Sequence, residues 1–185
     1  MGKAFINIEN VVALASLKQE IDLNSIVQSS PSAEYRPETF PGLIYRLNRE
    51  PKTTVLIFGS GKMVCTGAKS ERQAKKAVMK VVDERKQKGM TIIGKSDITI
   101  TNIVASGGLG ETIDLEKSIY SLERTMYEPE QFPGLIYRMK DPKVVILLFT
   151  SGNIVVTGAK KAEEVHHAVA MLQKTLEEKE LSHYK

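Results

Sequence analysis

The stretch FPGLIYRLNREPKTTVLIFGSGKMVCTGAK, residues 40–69, recurs in the same chain as FPGLIYRMKDPKVVILLFTSGNIVVTGAK, residues 132–160. Phe40 and Phe132 are 92 positions apart (132 − 40 = 92), and identities at this spacing continue upstream to Asn10 and Asn102. Downstream the spacing falls to 91, because the second copy lacks one residue in the link after the first strand. The chain is therefore a tandem duplication, with repeats predicted at residues 1–92 and 93–185.

A period of this length has a structural meaning. Solenoid repeats are about 20 to 50 residues long and need several copies. Two copies of near-equal length fit two halves of one domain related by a pseudo-twofold axis, as in a symmetric dimer joined into one chain.

Each repeat has the same predicted order of elements. An extended strand comes first, and a short helix follows that Asp22 or Asp114 can cap. Three strands joined by hairpin links, 48–52 and 59–61 in the first repeat, lead to a long helix from Ser70 to Lys88, whose counterpart begins near Ala162. The two repeats together predict an α+β fold: one antiparallel sheet of about ten strands with four helices.

The strands are apolar on both faces. In TTVLIF, Val55 and Ile57 alternate with Leu56 and Phe58, whereas a half-covered antiparallel sheet normally carries polar residues on its open face. Four helices cannot cover both faces of such a sheet. The uncovered apolar face is either a binding surface or is covered by a second copy or by further helix packing.

Composition limits the class of protein. With 185 residues, 42% of them hydrophobic, the chain can bury a sizeable core. Cys65 is the single cysteine, so no intrachain disulfide can form. The longest apolar run, Val144–Phe149, is too short to span a bilayer, and no signal peptide is recognised. We expect a soluble, cytoplasmic protein.

Charge differs between the repeats. Residues 1–92 carry 15 basic and 9 acidic side chains, and residues 93–185 carry 11 and 13. A basic repeat suits a polyanion such as nucleic acid, and an acidic one suits a basic protein partner. Ordinary solvated charge explains the same counts. The basic residues of the Ser70–Lys88 helix, Arg85 included, are predicted to form either a regulator-binding surface or a solvated helix face.

No catalytic or cofactor site is predicted. The GSGK at Gly59–Lys62 lacks the spacing of a phosphate-binding loop, since Leu56 and Met63 occupy two required positions. His166 and His167 are adjacent on a helix, so their side chains diverge, and no metal cluster or nucleophile-and-base grouping emerges. We expect a protein that is not an enzyme and needs no cofactor or metal.

The two stretches quoted first closely resemble the TATA-box-binding protein family, and the resemblance extends over essentially the whole chain. It implies a saddle: a curved sheet whose concave face lies on the DNA minor groove, with the four helices on the convex face. Such a protein selects A/T-rich DNA, because the minor groove of G·C pairs carries an extra amino group.

The resemblance also implies which residues contact DNA. Four phenylalanines would insert between base steps and bend the duplex: Phe40, Phe58, Phe132 and Phe149. The groove floor would be formed by Asn10, Val12, Leu56, Val64, Thr66, Asn102, Val104, Leu147, Val155 and Thr157. The asparagines and threonines would donate hydrogen bonds to adenine N3 and thymine O2. For a single Asn, a local backbone hydrogen bond is the alternative.

Phosphate contacts follow from the same resemblance. They are expected from Arg46, Ser60, Lys62, Lys69, Arg138, Ser151 and Lys160, and they would position the protein without reading sequence. One of two departures from the family pattern bears on these contacts: Asn153 stands where the first repeat has Lys62, so that contact is expected to be weaker. The other, Cys65 against Val156, is expected to be a core position with no reactive role.

Partners are implied too. In the family, transcription factor B binds an acidic segment of the second repeat, here Glu128 and Glu130, whereas the first repeat has Arg36 opposite Glu128. RNA polymerase would be recruited indirectly, and the DNA-free protein could dimerise. The close match of the repeats resembles archaeal members, which implies nucleoid association; a eukaryotic member would be nuclear. The alternative is a nucleic-acid-binding or dimerising module without a promoter role.

Overall fold

The structure is a computed structural model that describes residues 2–48, 52–94 and 96–184. The hairpin link predicted at 48–52 includes residues 49–51, which lie outside the described residues. The helices are α1 (Leu23–Ser29), α2 (Glu71–Gln87), α3 (Leu115–Ser121) and α4 (Ala162–Glu178). The strands are β1 (Phe5–Ser16), β2 (Ala33–Glu34), β3 (Leu43–Leu47), β4 (Thr53–Ile57), β5 (Lys62–Ala68), β6 (Asp97–Gly108), β7 (Glu111–Ile113), β8 (Thr125–Met126), β9 (Leu135–Met139), β10 (Val144–Leu148), β11 (Asn153–Ala159) and β12 (Ser182–Tyr184).

Ten strands form one sheet. Their hydrogen-bonded order is β2-β3-β4-β5-β1-β6-β11-β10-β9-β8, and β7 pairs separately with β12. The prediction of one antiparallel sheet of about ten strands with four helices is confirmed for the described part of the chain.

The chain divides into two compact units. The first unit is Asn10–Thr101, and the second unit is Met1–Glu9 together with Asn102–Lys185. The long strands β1 and β6 each contribute residues to both units. The repeat boundary between residues 92 and 93 comes from the sequence duplication, and it stays a prediction.

Side-chain caps begin three of the helices where the sequence predicts them. The Asp22 carboxylate accepts from the Asn24 N–H at 3.1 Å, and Asp114 accepts from Lys117 at 2.9 Å. Ser70 accepts from the Gln73 N–H at 3.1 Å, while the Gln73 side chain accepts from Lys69 rather than from Ser70. The capping box of α2 is therefore modified: the Gln73 side chain bonds to the N–H of the residue before the N-cap Ser70 instead of to that of Ser70 itself.

The long helices cover one face of the strands in each unit. In the first unit α2 packs against β4 and β5, and alternate strand residues such as Val55 and Met63 are buried. In the second unit α4 packs against β11, where Ile154 and Val156 are buried. Along each of these strands the residues that alternate with the buried ones are only half-buried, so they lie on the other face of the strand.

Cys65 belongs to this core. It is fully buried, and burial raises the pKa of its thiol to about 11. The thiol is therefore protonated at neutral pH and behaves as a small apolar side chain.

The sequence predicts that the basic residues of α2 lie on a solvated or regulator-binding face of the helix. For Arg85 this prediction is wrong. It is buried, with its guanidinium donating to the Ser29 hydroxyl at 3.0 Å and to the Ser30 hydroxyl at 2.6 Å. It also lies 5.6 Å from the centre of the Tyr45 ring. Arg85 therefore ties α2 to the end of α1 instead of facing a partner.

None of the helices in the described ranges is long and apolar enough to cross a bilayer.

Candidate nucleic-acid interface

The first unit carries a continuous apolar row on the face that its helices leave open. Successive Cα partners across β1, β5, β4 and β3 are Leu14, Val64, Leu56 and Ile44. All are half-buried or more exposed, and Leu14 is 41% exposed. Their neighbours along each strand are buried. The row is therefore the exposed floor of a surface and not part of the core.

The second unit has the equivalent row with one polar substitution. Across β6, β11, β10 and β9 the partners are Ser106, Val155, Leu147 and Ile136. Ser106 stands where the first unit has Leu14, and its hydroxyl donates to the Glu9 carboxylate at 2.6 Å. This floor is therefore less apolar at one end.

Val12 and Val104 lie on the same faces as these rows. Both are half-buried and alternate with the buried Val11, Ala13, Ile103 and Ala105 along β1 and β6. The structure thus brings the predicted floor residues of each unit to one surface. That they contact DNA stays a prediction.

A pair of phenylalanine rings stands beside each row, before β3 and directly after β4 in the first unit and before β9 and directly after β10 in the second. Phe40 and Phe58 have ring centres 5.9 Å apart at 67°, and Phe132 and Phe149 are 5.8 Å apart at 73°. This edge-to-face arrangement is the favoured geometry for aromatic pairs. None of the four rings is buried. Each unit therefore presents a preformed phenylalanine pair, which we call its wedge; that the pair inserts into DNA stays a prediction.

The glycine of the FPG motif makes room for the wedge. A Cβ at Gly42 would lie 2.8 Å from the Phe40 ring and 2.9 Å from the Phe58 ring, and Gly134 has the same relation to its pair. The turn before it fixes the first ring, because the Phe40 N–H donates to the Arg36 carbonyl at 3.0 Å.

The second ring of each pair is held by a tight hairpin. The Phe58 N–H donates to the Lys62 carbonyl at 2.9 Å, and Phe149 bonds to Asn153 in the same way. Gly61 has φ of +89°, and a Cβ there would meet the Gln19 carbonyl at 2.1 Å. Only glycine fits this turn. The repeated SG pair is thus part of how the wedge is presented.

Asn10 and Asn102 are fixed by the backbone of the neighbouring strand. The Asn10 side-chain oxygen accepts from the Gly67 N–H at 2.7 Å, and Asn102 accepts from Gly158 at 2.7 Å. Asn102 also lies 3.4 Å from the Thr157 hydroxyl. The local backbone bond and the donor role are therefore not exclusive, because the oxygen makes the backbone bond and the NH2 group, which at Asn102 makes the 3.4 Å contact with Thr157, has a second N–H to donate.

The residues predicted to contact phosphate are exposed. They are Arg46, Ser60, Lys62, Lys69, Arg138, Ser151 and Lys160. Arg46 and Arg138 lie on the open face, since they pair across the sheet with Thr54 and Val145 of the adjacent strands. Asn153, at the position of Lys62, is also exposed and carries no charge.

Arg46 already has an acidic partner. Its guanidinium donates to the Glu34 carboxylate at 2.8 Å, and Arg36 lies 3.2 Å from the other oxygen of Glu34. The Arg46 hydrogen bond and the positive charge of Arg36 hold the pKa of Glu34 below its usual value. The predicted phosphate contact of Arg46 therefore has an acidic competitor next to it.

Glu128 and Glu130 are exposed beside the Phe132–Phe149 wedge. The Glu128 carbonyl accepts from the Phe132 N–H at 2.9 Å, so the acidic segment is part of the turn that holds that ring. Arg36 holds Phe40 in the same way. The two turns are alike in backbone and opposite in charge.

Four floor residues are absent from the predicted set: Leu14, Ser106, Ile44 and Ile136. The signal for Leu14 is present in the sequence, because it lies two residues after Val12 and so on the same face of a strand. Ile44 and Ile136 become evident only from the cross-strand register that pairs them with Leu56 and Leu147.

Comparisons with known proteins agree with this geometry. The family model described as transcription factor TFIID, or TATA-binding protein, matches residues 5–86 and 97–179. The TATA-box-binding protein of Sulfurisphaera tokodaii is 56% identical over 167 residues, 90% of this chain and 84% of that protein. That of Methanothermobacter thermautotrophicus is 49% identical over 176 residues, 95% and 97% of the two chains. The solved structure described as Methanococcus jannaschii TBP has a TM-score of 0.84 at 45% identity, covering 94% of this chain and 98% of that chain.

Proposed function

Because this chain belongs to the TATA-box-binding protein family, we propose that it is a general transcription initiation factor that binds the minor groove of A/T-rich promoter DNA. One observation carries the proposal. Each unit leaves an apolar strand face uncovered and places an edge-to-face phenylalanine pair beside it, where two of its strands meet their connecting turns. An apolar surface with adjacent aromatic wedges suits a shallow, widened minor groove.

Membership of this family also bears on catalysis. The family is one of transcription factors, so the prediction that the chain is not an enzyme is confirmed.

The floor residues select the base composition. Val12, Leu56 and Val64, with Val104, Leu147 and Val155, offer no acceptor to the guanine amino group, so a G·C pair would bury an unsatisfied donor. The NH2 groups of Asn10 and Asn102 can donate to acceptors that A·T and T·A pairs both present. The protein therefore distinguishes A/T from G/C without separating A·T from T·A.

The wedges bend the DNA. Each phenylalanine pair enters between two base steps and partly unstacks them, which kinks the duplex toward the major groove. Flexible pyrimidine–purine steps such as TA are the least costly to unstack. Basic and hydroxyl side chains beside the wedges then hold the phosphates and fix the register.

The acidic turn recruits the next factor. Glu128 and Glu130 bind a basic surface of transcription factor B, and RNA polymerase follows through that factor. Since Arg36 replaces Glu128 in the first unit, only one unit attracts a basic partner. The complex therefore has a direction although the protein is nearly symmetric.

A second copy is the competing occupant of the open faces. In the absence of DNA, an exposed apolar row with Leu14 at 41% exposure favours association with another apolar surface. We expect DNA and a second copy to exclude each other, which sedimentation with and without promoter duplex measures.

Inosine substitution tests the proposal. An I·C pair lacks the guanine amino group, so it resembles A·T in the minor groove while its major groove resembles that of G·C. We expect a duplex with I·C in place of A·T to bind about as well as the A/T-rich duplex, and a G·C duplex to bind far more weakly. Equal binding to all three, or loss with I·C, would refute minor-groove recognition.

A further inference from the structure

The outer corners of the two open faces differ in charge. In the first unit Glu34, on the edge strand β2, is the Cα partner of Ile44 and so ends the apolar row with a carboxylate. In the second unit Met126, on β8, is the partner of Ile136 and is 53% exposed. The row therefore ends in an acid in one unit and in a thioether in the other.

An arginine replaces a serine at the same corner. The Arg138 N–H donates to the Arg124 carbonyl at 3.1 Å, and the Arg46 N–H donates to the Ser32 carbonyl at 3.4 Å. Arg124 and Ser32 are thus structurally equivalent. The second unit gains a guanidinium where the first unit has a hydroxyl.

Arg124 belongs to a basic depression in the second unit. Arg124, Arg138, Lys143 and Lys160 line it together with the half-buried Val145 and with Glu164. One oxygen of the Glu164 carboxylate caps the start of α4, because it accepts from the Lys160 and Lys161 backbone N–H groups at 3.0 Å. Among the residues that the structure describes, none of the four cations forms an ion pair.

We propose that Arg124 and Lys143 bind a DNA backbone phosphate at this corner, beside Arg138 and Lys160, and that the matching corner of the first unit holds phosphate more weakly. The proposal rests on the proposed function. A planar guanidinium matches the oxygens of a phosphate and an ammonium adds charge, so four unpaired cations form a strong site. In the first unit Glu34 occupies Arg46 and repels a phosphate that approaches it.

The second unit therefore binds the DNA backbone more tightly than the first unit does. Phosphate contacts carry no base information but set register and orientation. The corner at Arg124 therefore adds a polarity to DNA binding that does not depend on transcription factor B.

The salt dependence of binding tests the proposal. With Arg124→Ser and Lys143→Ser combined, we expect the slope of log K against log salt to become shallower by about 1, the loss of one phosphate contact. Affinity should fall by the same factor on an A/T-rich promoter and on a G/C-rich duplex. A fall confined to the promoter would contradict a phosphate contact.

Reciprocal variants keep the test independent of folding. Glu34→Met should steepen the slope by releasing Arg46, and Met126→Glu should make it shallower by engaging Arg138. Lys174→Ser combined with Lys179→Ser removes the same two positive charges at exposed positions of α4 and its C-cap, and it should leave the slope unchanged.

Two failures remain distinguishable. If the parent protein binds and prefers A/T-rich DNA but the Arg124 and Lys143 variant keeps its slope, the proposal is overturned and the proposed function stands. If the parent shows no A/T preference, the proposed function fails. Replacing single phosphates by neutral methylphosphonates locates the contact, since the sensitive position should lose its effect in the variant.

Discussion

The side-chain oxygen of Asn10 accepts a hydrogen bond from the backbone N–H of Gly67 at 2.7 Å. Asn102 and Gly158 repeat the bond at 2.7 Å. Each amide orientation is fixed by the adjacent strand, so the donors proposed to meet the minor groove are already oriented in the DNA-free protein. Such preorganisation lowers the entropic cost of binding.

Asn102→Asp should therefore weaken DNA binding without unfolding the protein. The carboxylate keeps the oxygen that accepts from Gly158 but loses both donors and adds negative charge. We expect affinity for an A/T-rich duplex to fall about 10-fold or more, since a lost hydrogen bond is worth about 1 kcal/mol and repulsion adds to it. Fluorescence anisotropy measures the change. Asn7→Asp, an exposed position of β1, supplies the charge control and should change affinity far less.

Gly42→Ala should impair the first wedge. The new methyl group would lie 2.8 Å from the Phe40 ring and 2.9 Å from the Phe58 ring, so both rings must shift. Because the rings are exposed enough to move, we expect a loss of stability of about 1 kcal/mol or less and a smaller DNA bend. Gly59→Ala is the control, since its nearest atom is 3.8 Å away. Equal bending by the two variants would refute this role of the glycine.

Stability should fall in alkaline solution because of Cys65. Burial raises the folded pKa of the thiol from 9.0 to about 11, so the unfolded chain loses its proton first as pH rises. The protein is then destabilised from about pH 9 upward, by about 1.4 kcal/mol at pH 10. Cys65→Val, the residue found at the equivalent position 156, should remove this component. Urea denaturation of both proteins at pH 7 and pH 10 measures the difference, and equal losses would show that Cys65 is not its source.

Glu128→Arg combined with Glu130→Arg should separate DNA binding from recruitment. DNA affinity should be kept or raised, because two negative charges are replaced by two positive ones, while capture of transcription factor B on the promoter should fall at least 10-fold. A gel-shift titration of the ternary complex reads both. Glu163→Arg with Glu177→Arg, exposed on α4, gives the same charge change elsewhere. Undiminished recruitment by the Glu128 and Glu130 variant would refute the acidic contact.

Much of the fold can be predicted from the sequence, because the local signals in one repeat agree with those in the other. Asp22, Asp114 and Ser70 begin their helices as predicted, and the alternation around Val55 and Leu56 correctly separates the two strand faces. The two-residue strands β2 and β8 and the β7–β12 pair are not predicted, because such short segments carry no periodic pattern.

The site is predictable only in part. Alternation and the family resemblance give the floor and the wedges, but they do not give the cross-strand register. Register decides that Glu34 ends the row of Ile44 and reaches Arg46, and that the backbone of Arg124 bonds to Arg138. Arg85 is missed for a related reason: its hydroxyl partners on Ser29 and Ser30 come from another helix, and no helical pattern reveals them.

The bend angle of an A/T-rich promoter duplex, measured by fluorescence energy transfer between its ends, tests the central claim most directly. We expect the parent protein to bend the duplex, and Phe132→Ala with Phe149→Ala to bind more weakly and bend it clearly less. Phe5→Ala, at an exposed phenylalanine outside both ring pairs, should bend it like the parent. Binding by the parent without bending, or an equal bend by the Phe132 and Phe149 variant, would contradict the wedge mechanism.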